Sequence, residues 1–205
     1  MNKITRSLLN RIVGDLFFVK LMGYKVITKG LENMPMTGKA ILASNHSSYL
    51  DSVMLFYVTP RPFYAIAADF LFKIWWLGWG LRLTDCIGAR DSVAGALAKL
   101  NEGNMILIFP EGECKKCREV EVGRAHKGVA VFALKTGAPV IPIGIKGTFE
   151  AWPTSRILPR RSQRIEISVG RPFYLERYEK EGKVPDEILM RNLDKVTRAI
   201  KDMLK

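Results

Sequence analysis

The run Met105-Ile106-Leu107-Ile108-Phe109, closed by Pro110-Glu111-Gly112, sets the reading of the chain. A continuous apolar run of this kind is the pattern of a strand covered on both faces. Val140-Ile141-Pro142-Ile143-Gly144-Ile145 repeats it, with Pro142 of the type tolerated at a strand edge or a bulge. Lys39-Ala40-Ile41-Leu42-Ala43-Ser44 and Ile165-Glu166-Ile167-Ser168-Val169 read as further short strands. Helical patterns fall between them, at Ser92 to Leu100, Ala125 to Lys135 and Asp186 to Leu204. This alternation predicts an α/β fold with a mostly parallel, mixed sheet flanked by helices.

The chain has 205 residues and is 48% hydrophobic, enough to bury one core without disulfides. No internal repeat or low-complexity linker divides it, so a single domain is expected over residues 24–205. Its three cysteines, Cys86, Cys114 and Cys117, form no framework of spaced pairs, which argues against a secreted disulfide scaffold.

Ahead of that domain, Leu8, Leu9, Ile12, Leu16 and Val19 recur at helical spacing between Ile4 and Met22, with Arg6, Arg11, Asp15 and Lys20 between them. An amphipathic helix ending at Gly23 is expected. It packs on the protein's own core or lies in a membrane interface. The basic residues and the Leu16-Phe17-Phe18 cluster give the interfacial reading equal weight, and an interfacial helix is the expectation for residues 1–23. No run reaches the eighteen or so uncharged residues of a spanning helix. Phe63 to Leu83, dense in phenylalanine and tryptophan, reads as core or as an apolar surface patch suited to the same interface.

The formal net charge is +12 and the pI about 9.8, which calls for an anionic environment or partner. Nucleic acid, an acidic carrier protein, a phosphorylated metabolite and anionic lipid all qualify. No zinc finger, helix-turn-helix or aromatic stacking motif points to nucleic acid.

His46 follows the strand that ends at Ser44, in Asn45-His46-Ser47-Ser48-Tyr49-Leu50-Asp51. Side chains at strand ends of α/β sheets are presented to ligands. An imidazole there can act as a general base, and a nearby carboxylate would orient it and stabilise its protonated form. On a regular helix, residues five apart are separated by about 140°, so the two meet only if the chain turns between them. Taken alone, Asp51 is equally an N-cap for a helix starting near Ser52, and His46 a hydrogen-bonded strand-end residue.

Three further segments stand behind that pair in order: Arg90 after Cys86-Ile87-Gly88-Ala89, then Phe109-Pro110-Glu111-Gly112, then Val140-Ile141-Pro142. With Asn45-His46-x4-Asp51 they resemble the four motifs of the glycerolipid acyltransferase family typified by lysophosphatidate (1-acylglycerol-3-phosphate) acyltransferase. The resemblance takes in Lys127-Gly128 and covers roughly residues 39–148. It implies that His46 deprotonates an acceptor hydroxyl, that Asp51 orients the imidazole, and that Arg90 binds the acceptor's phosphate. It also implies that Glu111 and Gly112 line the acceptor site with Lys127 nearby. The acyl donor would be acyl-coenzyme A or acyl carrier protein, used as a substrate, with no cofactor or metal. The acceptor would be 1-acylglycerol-3-phosphate, met at the cytoplasmic face of the cell membrane by a peripheral or monotopic protein.

The chain departs from the family after the third motif. Threonine or serine followed by arginine usually stands where this sequence has Glu113-Cys114, and Lys115-Lys116-Cys117-Arg118 follow. A carboxylate at position 113 would repel a phosphate. Lys115, Lys116 or Arg118 would have to supply the charge, so another lysolipid, or a lipid-linked alcohol or amine, is the alternative acceptor. Cys114 and Cys117 with His126 also suit zinc, with Cys86 as the fourth ligand only if the fold brings it close, and a solvated loop is the reading preferred. Arg156, Arg160, Arg161 and Arg164 form a basic cluster open to lipid headgroups, coenzyme A phosphates or an acidic carrier protein.

Overall fold

The computed structural model of the chain describes residues 12, 14–67, 86–88, 92–112, 125–153, 155–156, 158–176, 178 and 184–205. In chain order these form α1 (Asp15–Leu21), β1 (Lys25–Lys29), β2 (Ala40–Ser44), α2 (Leu50–Val58), β3 (Phe63–Ala67), β4 (Ile87–Gly88) and α3 (Ser92–Asn101). There follow β5 (Met105–Ile108), α4 (Gly128–Thr136), β6 (Val140–Lys146), α5 (Thr148–Ala151), β7 (Arg164–Val169) and α6 (Asp186–Met203). The strands make one seven-stranded sheet in the order β1-β7-β6-β2-β5-β3-β4. From β6 to β4 neighbouring strands are parallel, β7 is antiparallel to β6, and β1 is parallel to β7. The sheet is therefore mixed and mostly parallel, as the alternation of patterns predicts.

The unalternated runs follow from burial on both faces. Leu42, Met105, Leu107 and Ile141 pack on one side with Leu50, Met54 and Leu55 of α2. Their neighbours Ile41, Ala43, Ile106 and Val140 pack on the other, against Leu100 of α3, Phe132 of α4, and Leu193 and Val196 of α6. Each fully buried side chain of this size contributes about 1.5–3 kcal/mol. β7 alternates instead: Ile165, Ile167 and Val169 are buried while Arg164 is exposed, so only its α2 side is covered.

Pro142 is not on a sheet edge, since β6 lies between β7 and β2. It is tolerated because the β6–β7 ladder ends beside it at the pair Ile143–Val169. Gly170 N–H still donates to the Pro142 carbonyl at 2.8 Å. The reciprocal bond that a proline lacks would have fallen at the ladder's last rung.

The expected N-terminal helix is described at residue 12 and over residues 14–21. Its winding is wider than α-helical: Met22 N–H reaches the Phe17 carbonyl, five residues back, at 2.9 Å. Phe18 is buried against the rings of Tyr24 and Tyr57, with centroids 6.2 and 5.8 Å away. Ile12, Leu16, Phe17, Val19 and Leu21 are exposed. No helix among the described residues is long and apolar enough to cross a membrane. In the aromatic segment Phe63 is core, stacked on Phe56 at 4.3 Å, and residues 68–83 lie outside the described residues.

Connectivity opens the sheet at one place. The β2–α2–β3 crossover moves toward the β4 edge, whereas the chain from β5 through α4 to β6 moves the opposite way. Right-handed crossovers running in opposite directions place their helices on opposite faces. Hence α2 and α4 diverge, and the carboxyl ends of β2 and β5 form the topological switch point at which α/β sheets bind ligands.

Candidate active site

The residues at that switch point are held by backbone groups left over where β2 stops. Asn45 takes over from the strand: its Nδ2 donates to the Ile145 carbonyl at 2.9 Å, and its Oδ1 accepts from Ile145 N–H at 2.8 Å. The side chain thus extends the β2–β6 pairing after the backbone has turned away. Ser47-Ser48-Tyr49 then reverse the chain into α2, which carries Asp51 in its first turn. That turn answers the spacing problem.

Asp51 is fully buried, and its Oδ2 accepts three hydrogen bonds. They come from Ser47 N–H and Ser48 N–H, each at 2.8 Å, and from His46 Nδ1 at 2.9 Å. With Nδ1–H assigned as the donor, the His46 Nε2 lone pair is left free. The His46 side chain is 15% exposed, so the ring has a face toward solvent while its carboxylate has none. Ser48 Oγ accepts from Leu50 N–H at 3.1 Å and donates to the Trp152 carbonyl at 2.6 Å, fixing the turn to the end of α5. Asp51 therefore organises the loop as well as the imidazole; it is not the N-cap, since α2 starts at Leu50 with Tyr49 in the cap position and the N–H groups that Asp51 binds lie ahead of the helix.

The third motif meets this loop from β5. The Phe109 ring stacks on His46 at 3.9 Å with planes 15° apart. Glu111 is buried, and its Oε1 accepts from His46 N–H at 3.3 Å. Gly112 has φ of 73°, and a β-carbon there would stand 2.6 Å from Cδ2 of His126, so both backbone and space require glycine.

Of the residues expected at the site, His46, Asp51, Glu111 and Gly112 are brought together. Lys127 is placed just ahead of α4, where its ammonium pairs with Asp186 at 3.0 Å on the surface. Arg90 and Lys115 lie outside the described residues, as do Glu113, Cys114 and Cys117. His126 packs beside Gly112, and no group of three or more metal-ligating side chains occurs among the described residues. The roles of Asn45, Ser48, Phe109 and Trp152 are not readable from the sequence. Asn45 and Phe109 stood inside quoted motifs, but their partners are set by the fold.

The family model described as Acyltransferase matches residues 25–146, which contain the whole of this loop and the third motif. The chain belongs to the acyltransferase family. This family member is 30% identical over 160 residues to a chloroplastic 1-acyl-sn-glycerol-3-phosphate acyltransferase of Arabidopsis thaliana, covering 74% of this chain and 44% of that protein. It is 29% identical over 136 residues to a 1-acyl-sn-glycerol-3-phosphate acyltransferase of Borreliella burgdorferi, covering 62% of this chain and 54% of that one. The chain spans about half the length of the curated relatives it matches. Its fold is similar to the crystal structure of the 1-acyl-sn-glycerophosphate acyltransferase PlsC from Thermotoga maritima. The TM-score is 0.73 at 25% identity, over 97% of this chain and 80% of that one.

Proposed function

We propose that this acyltransferase-family chain moves a fatty acyl group from acyl-coenzyme A or acyl carrier protein to the free hydroxyl of 1-acylglycerol-3-phosphate, working at a membrane surface. The observation that carries the reading is the His46–Asp51 pair, with Nδ1 2.9 Å from a buried carboxylate and the imidazole stacked on Phe109 of the third motif. Relatives named as 1-acyl-sn-glycerol-3-phosphate acyltransferases support the substrate class.

In this mechanism the acceptor oxygen attacks the thioester carbonyl carbon as its proton passes to His46 Nε2. Asp51 stabilises the imidazolium formed, and the carbonyl becomes a tetrahedral oxyanion. Collapse of that intermediate breaks the C–S bond and forms the new ester, and the departing thiolate recovers the proton from His46. A thiolate leaves far more readily than an alkoxide, so one base acting on the hydroxyl meets the main chemical need. The sequence contains no Gly-x-Ser-x-Gly nucleophile elbow, in keeping with direct transfer.

Purified protein given acyl-coenzyme A and the lysolipid should release free thiol. His46→Ala should lower that rate by roughly 10²–10⁴-fold, the usual contribution of a positioned base. An unchanged rate would overturn the assignment. Glu113 favours a second reading, in which the acceptor is another lysolipid or a lipid-linked alcohol or amine. Acceptor profiling with one acyl donor separates the two, because only the second predicts faster turnover on an acceptor without the phosphate.

A further inference from the structure

The arginine cluster before β7 has a definite place in the fold. Lys146 of β6 is opposite Glu166 of β7 in the antiparallel pair, so the start of β7 stands at the carboxyl end of β6. β1 runs parallel to β7, with Lys25 opposite Arg164, so the start of β1 stands there too. The segments that lead into these two strands, α1 and residues 158–163, therefore converge on the sheet edge that carries His46.

Hydrogen bonds join the two segments. The Arg161 guanidinium donates to the Leu21 carbonyl at 2.7 Å, Ser162 N–H to the Met22 carbonyl at 2.8 Å, and Lys25 N–H to the Gln163 carbonyl at 2.9 Å. At Gly147, where φ is 87°, a β-carbon would lie 1.9 Å from the Arg164 carbonyl oxygen, so the end of β6 is pressed against the start of β7. Toward the site, Trp152 accepts from Ser48 and donates its indole N–H to the Arg156 carbonyl at 3.1 Å. The arginine segment is thus continuous with α1 on one side and with the His46 loop on the other.

Its surface chemistry is both cationic and apolar. Arg156, Arg160 and Arg161 are exposed and have no ion-pair partner among the described residues, while Arg164 is held by Glu166 at 2.6 Å. Glu150 lies nearby, and Arg160 donates to its backbone carbonyl at 3.3 Å. Leu158, between the arginines, is 70% exposed, and Leu16, Phe17, Val19 and Leu21 of α1 are exposed beside them. A soluble polyanion would need only the guanidinium groups. Basic and bulky apolar side chains sharing one edge suit the boundary of an anionic bilayer, where headgroups take the charge and acyl chains take the rest.

We propose that Arg156, Arg160 and Arg161 bind the headgroups of anionic phospholipids in the bilayer on which α1 lies, holding the His46 edge of the sheet against the membrane. This rests on the membrane-surface reading above. The test omits lysolipid and acyl donor, so its outcome is independent of turnover.

The full chain is sedimented with vesicles of phosphatidylcholine alone and of phosphatidylcholine mixed with phosphatidylglycerol. The parent should bind the mixed vesicles more tightly. Arg156→Gln combined with Arg160→Gln should weaken binding to mixed vesicles about 25-fold, at roughly fivefold per arginine near an anionic surface. Binding to neutral vesicles should not change. Lysine at both positions should retain the affinity. Three results would overturn the proposal: equal affinity of the parent for both vesicles, parental binding by the glutamine pair, or loss of binding by the lysine pair. A glutamine pair that lost affinity for coenzyme A or an acidic carrier protein, but not for vesicles, would also overturn it.

Discussion

At the scale of single residues, Asp51 is asked to do two things with one oxygen. Its Oδ2 ties down Ser47 and Ser48 N–H and also receives His46 Nδ1. Asp51→Asn removes the charge and presents an amide that can donate to Nδ1, which favours the wrong imidazole tautomer. On the proposed mechanism kcat should fall by roughly 10²–10⁴-fold, with little change in KM for the acceptor. Thiol-release kinetics on a variant shown to be folded would check it, and a parental kcat would remove Asp51 from the chemistry. Asn45 is a support of another kind, because its side chain serves both backbone groups of Ile145. Asn45→Ala leaves two buried groups without partners at about 1–3 kcal/mol each, so urea denaturation should show a loss of roughly 2–6 kcal/mol. His46, Asp51, Glu111 and Gly112 were legible because each stands in a motif of fixed order. The role of Asn45 was not, because its partner is 100 positions away and only the parallel pairing of β2 with β6 brings them together.

Among elements, legibility followed burial. β5 and β6, covered on both faces, declare themselves as unbroken apolar runs, and α6 declares itself by the spacing of Leu189, Leu193, Val196 and Ile200. β1, an edge strand with lysines at both ends, carries too little apolar signal to be read. α2 is apolar on nearly every side, a pattern that periodicity cannot separate from a strand. The sequence of α1 supports two readings, and its described residues divide along the same line. Phe18 is packed on Tyr24 and Tyr57, whereas Leu16 and Phe17 are 63% and 44% exposed. Leu16→Ser with Phe17→Ser should therefore leave the unfolding temperature close to the parent's. If these side chains enter a bilayer, each contributes about 1.5–3 kcal/mol, and the double change should weaken binding to phosphatidylcholine vesicles on the order of 100-fold or more. Unaltered vesicle binding would assign α1 to packing alone.

For the molecule as a whole, a net charge of +12 does not choose a partner, because any polyanion feels it. Position chooses. The antiparallel turn from β6 into β7 carries the arginine segment to the carboxyl end of the parallel strands, and the parallel pairing of β1 with β7 carries α1 there as well. One edge of the sheet thereby holds the imidazole, the cationic segment and the exposed apolar residues. Ionic strength can separate the two contributions to membrane binding, since the Debye length falls from about 30 Å at 0.01 M salt to about 3 Å at 1 M. On the proposal above, binding of the parent to phosphatidylglycerol-containing vesicles should drop steeply over that range and level off at its affinity for neutral vesicles, which α1 would supply. The Arg156→Gln, Arg160→Gln protein should show a shallower salt dependence and reach the same level. The Leu16→Ser, Phe17→Ser protein should keep the parental slope and fall to no measurable binding at high salt. Equal slopes for the parent and the arginine variant, measured by vesicle sedimentation across that range, would mean that the charge acts diffusely and that Arg156 and Arg160 have no special part in it.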